Sequence, residues 1–129
     1  SYVIDRAVEY DFDLAQVNGT CIGVHNERTT PYFTCAADFA ADLPRATLAT
    51  GDRFNDNAAD FVTLADLEAT VRDMEGAAIV HVCETNGVPC RMLKCLSDVH
   101  GKGSMTGQYR DNLAKALAAL SATLKGILR

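Results

Sequence analysis

Apolar residues in this chain follow two rhythms, near-alternation at its start and a three-to-four-residue spacing at its end, and the passage between them predicts the layout. Tyr2 to Val8 alternates well enough for a strand, Asp11-Phe12-Asp13 reads as loop, and Thr20 to Val24 is a second short strand candidate. Thr29-Thr30-Pro31 breaks the chain. Ala36 to Leu43 carries helical composition that Pro44 ends, and Arg45 to Thr50 is a small-residue strand running into Gly51-Asp52.

Further along, Thr63-Leu64-Ala65-Asp66 has the form of a helix cap and predicts a short helix over Leu64 to Thr70. Met74 to Thr85 reads as a longer helix, stopped by Asn86-Gly87, and Val88-Pro89-Cys90 leads into a strand over Met92 to Leu96. After a glycine-rich loop from His100 to Gly107, the spacing of Leu113, Leu117, Leu120, Leu124, Ile127 and Leu128 marks a terminal amphipathic helix. Strands alternating with helices predict an α/β fold with parallel pairing.

Composition narrows the picture. With 129 residues, 48% of them hydrophobic, the chain can build one ordinary core, and no linker-like stretch divides it, so residues 1–129 are expected to form a single domain or part of one. The chain opens directly on a strand, which reads as a start inside a fold. A formal net charge of −5, without any Lys/Arg cluster, argues against nucleic acid and favours a small-molecule ligand. No apolar run reaches the roughly twenty residues that span a bilayer, so no membrane partner is expected. Five cysteines without framework spacing suggest free thiols in a reducing, cytoplasmic setting.

Candidate chemistry lies at the predicted strand ends, where open α/β sheets bind ligands. Gly51-Asp52-Arg53-Phe54 offers an aromatic ring that can stack on a flat ligand, and Glu75, on the predicted helix, and Asp98, at a strand end, offer carboxylates that can hold hydroxyls or donate a proton. A ribose bearing a flat base satisfies all three. Singly each residue has an ordinary reading: Asp98 as a turn or cap residue, Glu75 as a favourable charge in a first helical turn, Phe54 as core and Met74 as a gap filler.

The order of these segments resembles the purine nucleoside phosphorylase and nucleosidase superfamily, and within it the 5'-methylthioadenosine/S-adenosylhomocysteine nucleosidases. Ala49-Thr50-Gly51-Asp52-Arg53-Phe54 is similar to that family's Gly-Asp-x-Phe segment, Asp73-Met74-Glu75-Gly76-Ala77-Ala78-Ile79 to its Met-Glu helix start, and Val88-Pro89 through Leu96-Ser97-Asp98 to its last core strand. The resemblance implies the C-terminal part of a mixed-sheet, three-layer α/β/α nucleoside phosphorylase-like fold whose N-terminal half is missing from this chain. It implies that Phe54 stacks on the purine, that the backbone around Asn55 reads the base edge, that Met74 packs against the sugar, that Glu75 accepts hydrogen bonds from the ribose hydroxyls, and that Asp98, supported by Ser97, protonates the purine at N7. It further implies hydrolysis of the N-glycosidic bond with release of adenine, as in methionine salvage, without cofactor or metal, in a homodimer. A phosphorylase of the same superfamily and a nucleoside-binding module without turnover are the alternatives, and Val99-His100-Gly101 after Asp98, where a nearby Arg is absent, tilts toward hydrolysis.

Two segments depart from that pattern. Tyr10-Asp11-Phe12-Asp13 has Tyr where the family has His, and Gln16 to Thr30 matches poorly. His81 and Cys83, two apart on a helix, point to different sides and cannot share a metal without help from elsewhere. Gly101-Lys102-Gly103-Ser104 lacks the spacing of a phosphate loop and is expected to be a mobile loop, and the resemblance implies that His100 to Gly107 can close over the base.

Overall fold

The computed structural model describes residues 1–26, 28–54 and 57–129. In chain order the elements are β1 (Tyr2–Glu9), α1 (Ala15–Asn18), β2 (Phe33–Thr34), β3 (Arg45–Thr50), α2 (Ala58–Asp66), β4 (Val71–Asp73), α3 (Gly76–Thr85), β5 (Met92–Lys94) and α4 (Met105–Ile127). β1 runs parallel to β3, from Val3 opposite Arg45 to Glu9 opposite Thr50, and β3 runs parallel to β4. Along its other edge β1 takes two antiparallel partners, β2 at Arg6–Ala7 and β5 at Tyr2–Ile4. The sheet is therefore mixed, and β5 departs from the parallel pairing expected of it.

A register shift between Ile4 and Arg6 sets which side chains face which layer. It leaves Ile4 and Ala7 on one face, with Phe33, Leu48 and Val71, against Ala77 and Val80 of α3. Val8 and Ala49 point the other way, against Leu64 of α2 and Leu67. The result is helix, sheet, helix. Ile4, Phe33 and Leu48 are fully buried, and each contributes roughly 1.5–3 kcal/mol by leaving water.

Three predicted elements differ. Ala36 to Leu43 is not helical, because the Arg45 guanidinium takes the carbonyls of Ala37, Phe39, Ala40 and Leu43 that a helical ladder would use, and Ala40 sits at φ +46°. Thr20 to Val24 is a turn, not a strand. Gly23 there has φ +83°, and a Cβ on it would come within 2.7 Å of Val8 Cγ2, so only glycine fits. α2 begins earlier than expected, capped by Asn57, whose side chain accepts from the Ala59 amide at 3.0 Å; Thr63 lies inside the helix and donates to the Ala59 carbonyl at 3.3 Å. Leu67 to Thr70 then leaves the helix for β4, which the sequence reading does not anticipate.

α4 starts at Met105, with Ser104 as its cap, so the glycine-rich loop is shorter than expected and Gly107 is helical. Only Met105 of this 23-residue helix is buried, while Leu117 and Leu124 stay largely exposed. Among the described residues no helix is long and apolar enough to cross a membrane. All five cysteines are free.

Candidate active site

The β4–α3 junction is built around Asp73. Its carboxylate accepts from the Thr50 hydroxyl at 2.5 Å and from the Gly76 amide at 2.9 and 3.1 Å, and lies 2.5 Å from Lys94 Nζ. The Thr50 hydroxyl in turn accepts from the Ala77 amide at 2.8 Å. Asp73 and Thr50 thus satisfy the amides that open α3, the task of a cap, although the cap position itself is Glu75, whose side chain makes no capping bond. Gly76 is required here: a Cβ would lie 2.4 Å from Leu48 Cδ2 and 2.6 Å from Asp73 Oδ2. The junction clamps β3, β4, β5 and α3 together and leaves Met74 and Glu75 on the surface between β4 and α3.

That surface is one wall of a cleft of about 1290 Å³. Phe54, Met74, Glu75, Ser97 and Asp98 all line it, although β5, unlike β4, is antiparallel to its neighbour. Glu75 stands at the strand–helix junction, where the sequence reading placed it on the helix. Phe54 and Met74 are 48% and 41% exposed, so neither is the core residue its ordinary reading would make it. Asn55 lies outside the described residues.

The Ser97–Val99 loop is held from α4. Ser97 Oγ donates to Asp98 Oδ2 at 2.7 Å, Asn112 Nδ2 donates to the Ser97 carbonyl at 3.1 Å, and the Gln108 amide group grips Val99, accepting from its N–H and donating to its carbonyl, each at 3.0 Å. The Asp98 carboxylate therefore sits on backbone fixed from two turns of α4. Asn112 and Gln108 carry no motif, and only their helical spacing could have marked them as facing one side.

The Phe54 side of the cleft is tied down by ionic and aromatic contacts. Arg53 Nη2 lies 3.0 Å from the buried Asp60 carboxylate, which Tyr10 OH also approaches at 3.4 Å. Burial, followed by the Asp60 charge, pushes the Tyr10 phenol above its usual range and keeps it a donor. Across the cleft the Phe54 ring meets Tyr109 of α4 edge to face, with centroids 5.9 Å apart, and Phe61 stacks on His100 at 3.6 Å. Tyr109 is a second aromatic wall that the sequence reading missed; it follows the glycine-rich loop in a helix whose leucines drew attention to the other face. Arg110 also lines the cleft. The arrangement offers aromatic rings, two carboxylates, a thioether and apolar side chains around one cleft, a lining suited to a flat, hydroxyl-bearing small molecule.

A sequence model of the Phosphorylase superfamily matches residues 3–129. Over 108 residues the chain is 33% identical to the 5'-methylthioadenosine/S-adenosylhomocysteine nucleosidase of Arabidopsis thaliana, a match that takes in 83% of this chain and 41% of that protein. It is 36% identical over 86 residues to the enzyme of the same name from Geobacillus sp. (strain WCH70), covering 64% of this chain and 37% of the relative. The chain thus spans about two fifths of the length of these relatives. In fold it is similar to the Helicobacter pylori 5'-methylthioadenosine/S-adenosylhomocysteine nucleosidase crystallised with butyl-thio-DADMe-Immucillin-A and to the futalosine hydrolase of that organism, each with a TM-score of 0.86 at 22% identity, covering 98% of this chain and 59% and 58% of those chains.

Proposed function

Because the chain belongs to the Phosphorylase superfamily, we propose that its cleft serves a purine nucleosidase that hydrolyses the N-glycosidic bond of 5'-methylthioadenosine or S-adenosylhomocysteine and releases adenine. The observation that carries this reading is the gathering of Phe54, Met74, Glu75, Ser97 and Asp98, from three separate segments, around one cleft. In it, Phe54 stacks on the purine, Tyr109 braces the Phe54 ring edge to face, and Met74 packs against the sugar. Glu75, exposed and with no cap to hold, accepts the hydrogen bonds of the ribose hydroxyls.

Breaking the bond leaves an oxocarbenium-like sugar and pushes electrons onto the departing base. A proton delivered to purine N7 neutralises that charge, and in this reading Asp98 delivers it. Ser97 engages Oδ2, which leaves Oδ1 to carry the proton, and the Gln108 and Asn112 clamps fix the loop during transfer. General acid catalysis of this kind is worth about a hundred- to ten-thousandfold in rate. The superfamily membership and the family's small-molecule chemistry support this reading, and a cytoplasmic homodimer acting in methionine salvage is its natural setting.

The test is adenine release from 5'-methylthioadenosine by the complete polypeptide that contains this chain, with and without inorganic phosphate. Phosphate-independent release is expected. A strict phosphate requirement would transfer the cleft to phosphorolysis, a reading that Arg110 on its rim would then serve; binding of adenine without turnover would leave a nucleoside-binding module.

A further inference from the structure

Glu9, His25 and His81 come from the end of β1, from the loop after α1 and from the middle of α3, and their side chains converge. One donor atom of each lies within 4.8 Å of the others. His25 Nε2 is 2.6 Å from Glu9 Oε2, and His81 Nδ1 is 3.6 Å from Glu9 Oε1. None of the three lines the cleft.

The rings are fixed by packing. Phe12 stacks on the His25 imidazole, with centroids 3.8 Å apart and planes within 1°, while His81 stacks on the fully buried Phe33 at 4.3 Å and meets His25 edge to face at 4.9 Å. The buried Nε2 of His25 makes no hydrogen bond, although Glu9 Oε2 lies 2.6 Å away. A buried imidazole nitrogen held beside a carboxylate oxygen without a hydrogen bond is a donor atom in need of a partner. The nearby Arg28 does not fill the role, since its guanidinium lies over the Phe33 ring and pairs with Glu84.

We propose that Glu9, His25 and His81 form a binding site for a divalent first-row transition ion of the zinc type. Two neutral imidazoles and one carboxylate make up a recognised three-ligand zinc set, and nitrogen donors disfavour magnesium and calcium. Zinc bonds of about 2.0–2.2 Å put tetrahedral ligand atoms about 3.4 Å apart, and the two imidazole nitrogens lie 2.6 and 3.6 Å from different oxygens of the Glu9 carboxylate, each within about 1 Å of that spacing, so small side-chain shifts admit an ion. His81, 36% exposed, leaves an entry path and a fourth position for water. The sequence hid the site because its ligands are 16 and 56 residues apart on three elements, and the neighbouring Cys83, which spacing arguments weigh with His81, takes no part.

The complete polypeptide, stripped with a chelator, is titrated with Co2+ and followed by visible absorption, and the bound ion is then displaced with Zn2+. One-to-one binding with ligand-field bands and no thiolate charge-transfer band is expected. Glu9→Gln, His25→Gln and His81→Asn should each weaken binding by more than about tenfold, at least the loss that changes outside the ligand shell already cause. Far-UV circular dichroism and the thermal midpoint check folding; if His25→Gln unfolds, Glu9→Gln and the more exposed His81→Asn decide. Absence of one-to-one binding, a thiolate band, or unchanged affinity in the folded variants would overturn the site.

Discussion

Asp73 and Glu75 stand two residues apart at the same strand–helix junction, and their carboxylates lead opposite lives. Asp73 takes the Thr50 hydroxyl, the Gly76 amide and the Lys94 ammonium, whereas Glu75 is exposed on the cleft wall and caps nothing. A carboxylate whose acceptor sites are filled by the protein holds the scaffold; one left facing a cleft is available to a ligand. Asp98 belongs with Glu75 in this respect, since the bond shown to its carboxylate comes from its neighbour Ser97 while the backbone on either side of it is held from α4. The distinction separates residues that build the site from residues that use it.

The largest expected effect tests the second group. On the proposed reading, Asp98→Asn in the complete polypeptide keeps the size and the bond from Ser97 and removes the proton to be transferred, so adenine release should fall by about a hundred- to ten-thousandfold with the unfolding midpoint unchanged. Equal loss of activity and stability would place Asp98 with the scaffold instead. Asp73→Ala should do the reverse: it removes an effective cap and a charged hydrogen-bonding partner, and is expected to lower the unfolding free energy by about 3 kcal/mol. Denaturant titration checks this, and a change under about 1 kcal/mol would mean that water replaces Asp73 without loss.

Gly76→Ala probes the same junction by shape. The added Cβ would meet Leu48 Cδ2 at 2.4 Å and Asp73 Oδ2 at 2.6 Å, and neither neighbour can retreat without disturbing the core or the cap. Overpacking of this kind costs about 1–3 kcal/mol. A neutral result in the same titration would show that the junction yields.

How these residues looked in the sequence follows from what each depends on. Arg45 to Thr50 was legible because local composition decides a strand flanked by Pro44 and Gly51, and α4 because its leucines repeat with the helical period. Ala36 to Leu43 was misread because the groups that satisfy its carbonyls belong to Arg45, whose guanidinium folds back over the segment. β4 was invisible for the same kind of reason: three residues form a strand only because β3 is beside them. The cleft residues Phe54, Met74, Glu75, Ser97 and Asp98 were found through motif order, whereas Tyr109, Gln108 and Asn112 act through positions that α4 creates on folding, and no motif marks them, only helical spacing in the case of Gln108 and Asn112.

A buried thiol offers a smaller test of how firmly the α3-facing core is closed. Burial pushes Cys35 up to about 12, so in the folded protein it is almost entirely protonated near neutral pH and should resist alkylation, while the exposed Cys21 reacts first. Mass spectrometry after brief iodoacetamide treatment reads the order. Early labelling of Cys35 would mean that the layer between the sheet and α3 opens readily.

The smallest effect concerns a carboxylate on the far side of α3 that resembles Asp73 in its bonding but not in its burial. Glu84 pairs with Arg28 at 2.5 Å and accepts from the Thr34 amide at 3.0 Å, and these partners, Arg28 foremost, hold its pKa below the ordinary carboxylate value. A depressed folded pKa means that the stabilisation is present above the unfolded value near 4.5 and is lost as pH falls through the lower, folded value. With about a third of the side chain exposed, solvent screening keeps the contribution under ~1 kcal/mol. Unfolding free energies measured from about pH 6 down to pH 3 should therefore decline more steeply in the parent than in Glu84→Gln. Parallel curves would mean that Arg28 and Thr34 bind the amide as well as the carboxylate, and that being tied to partners makes a carboxylate structural only when, as at Asp73, the water around it is also excluded.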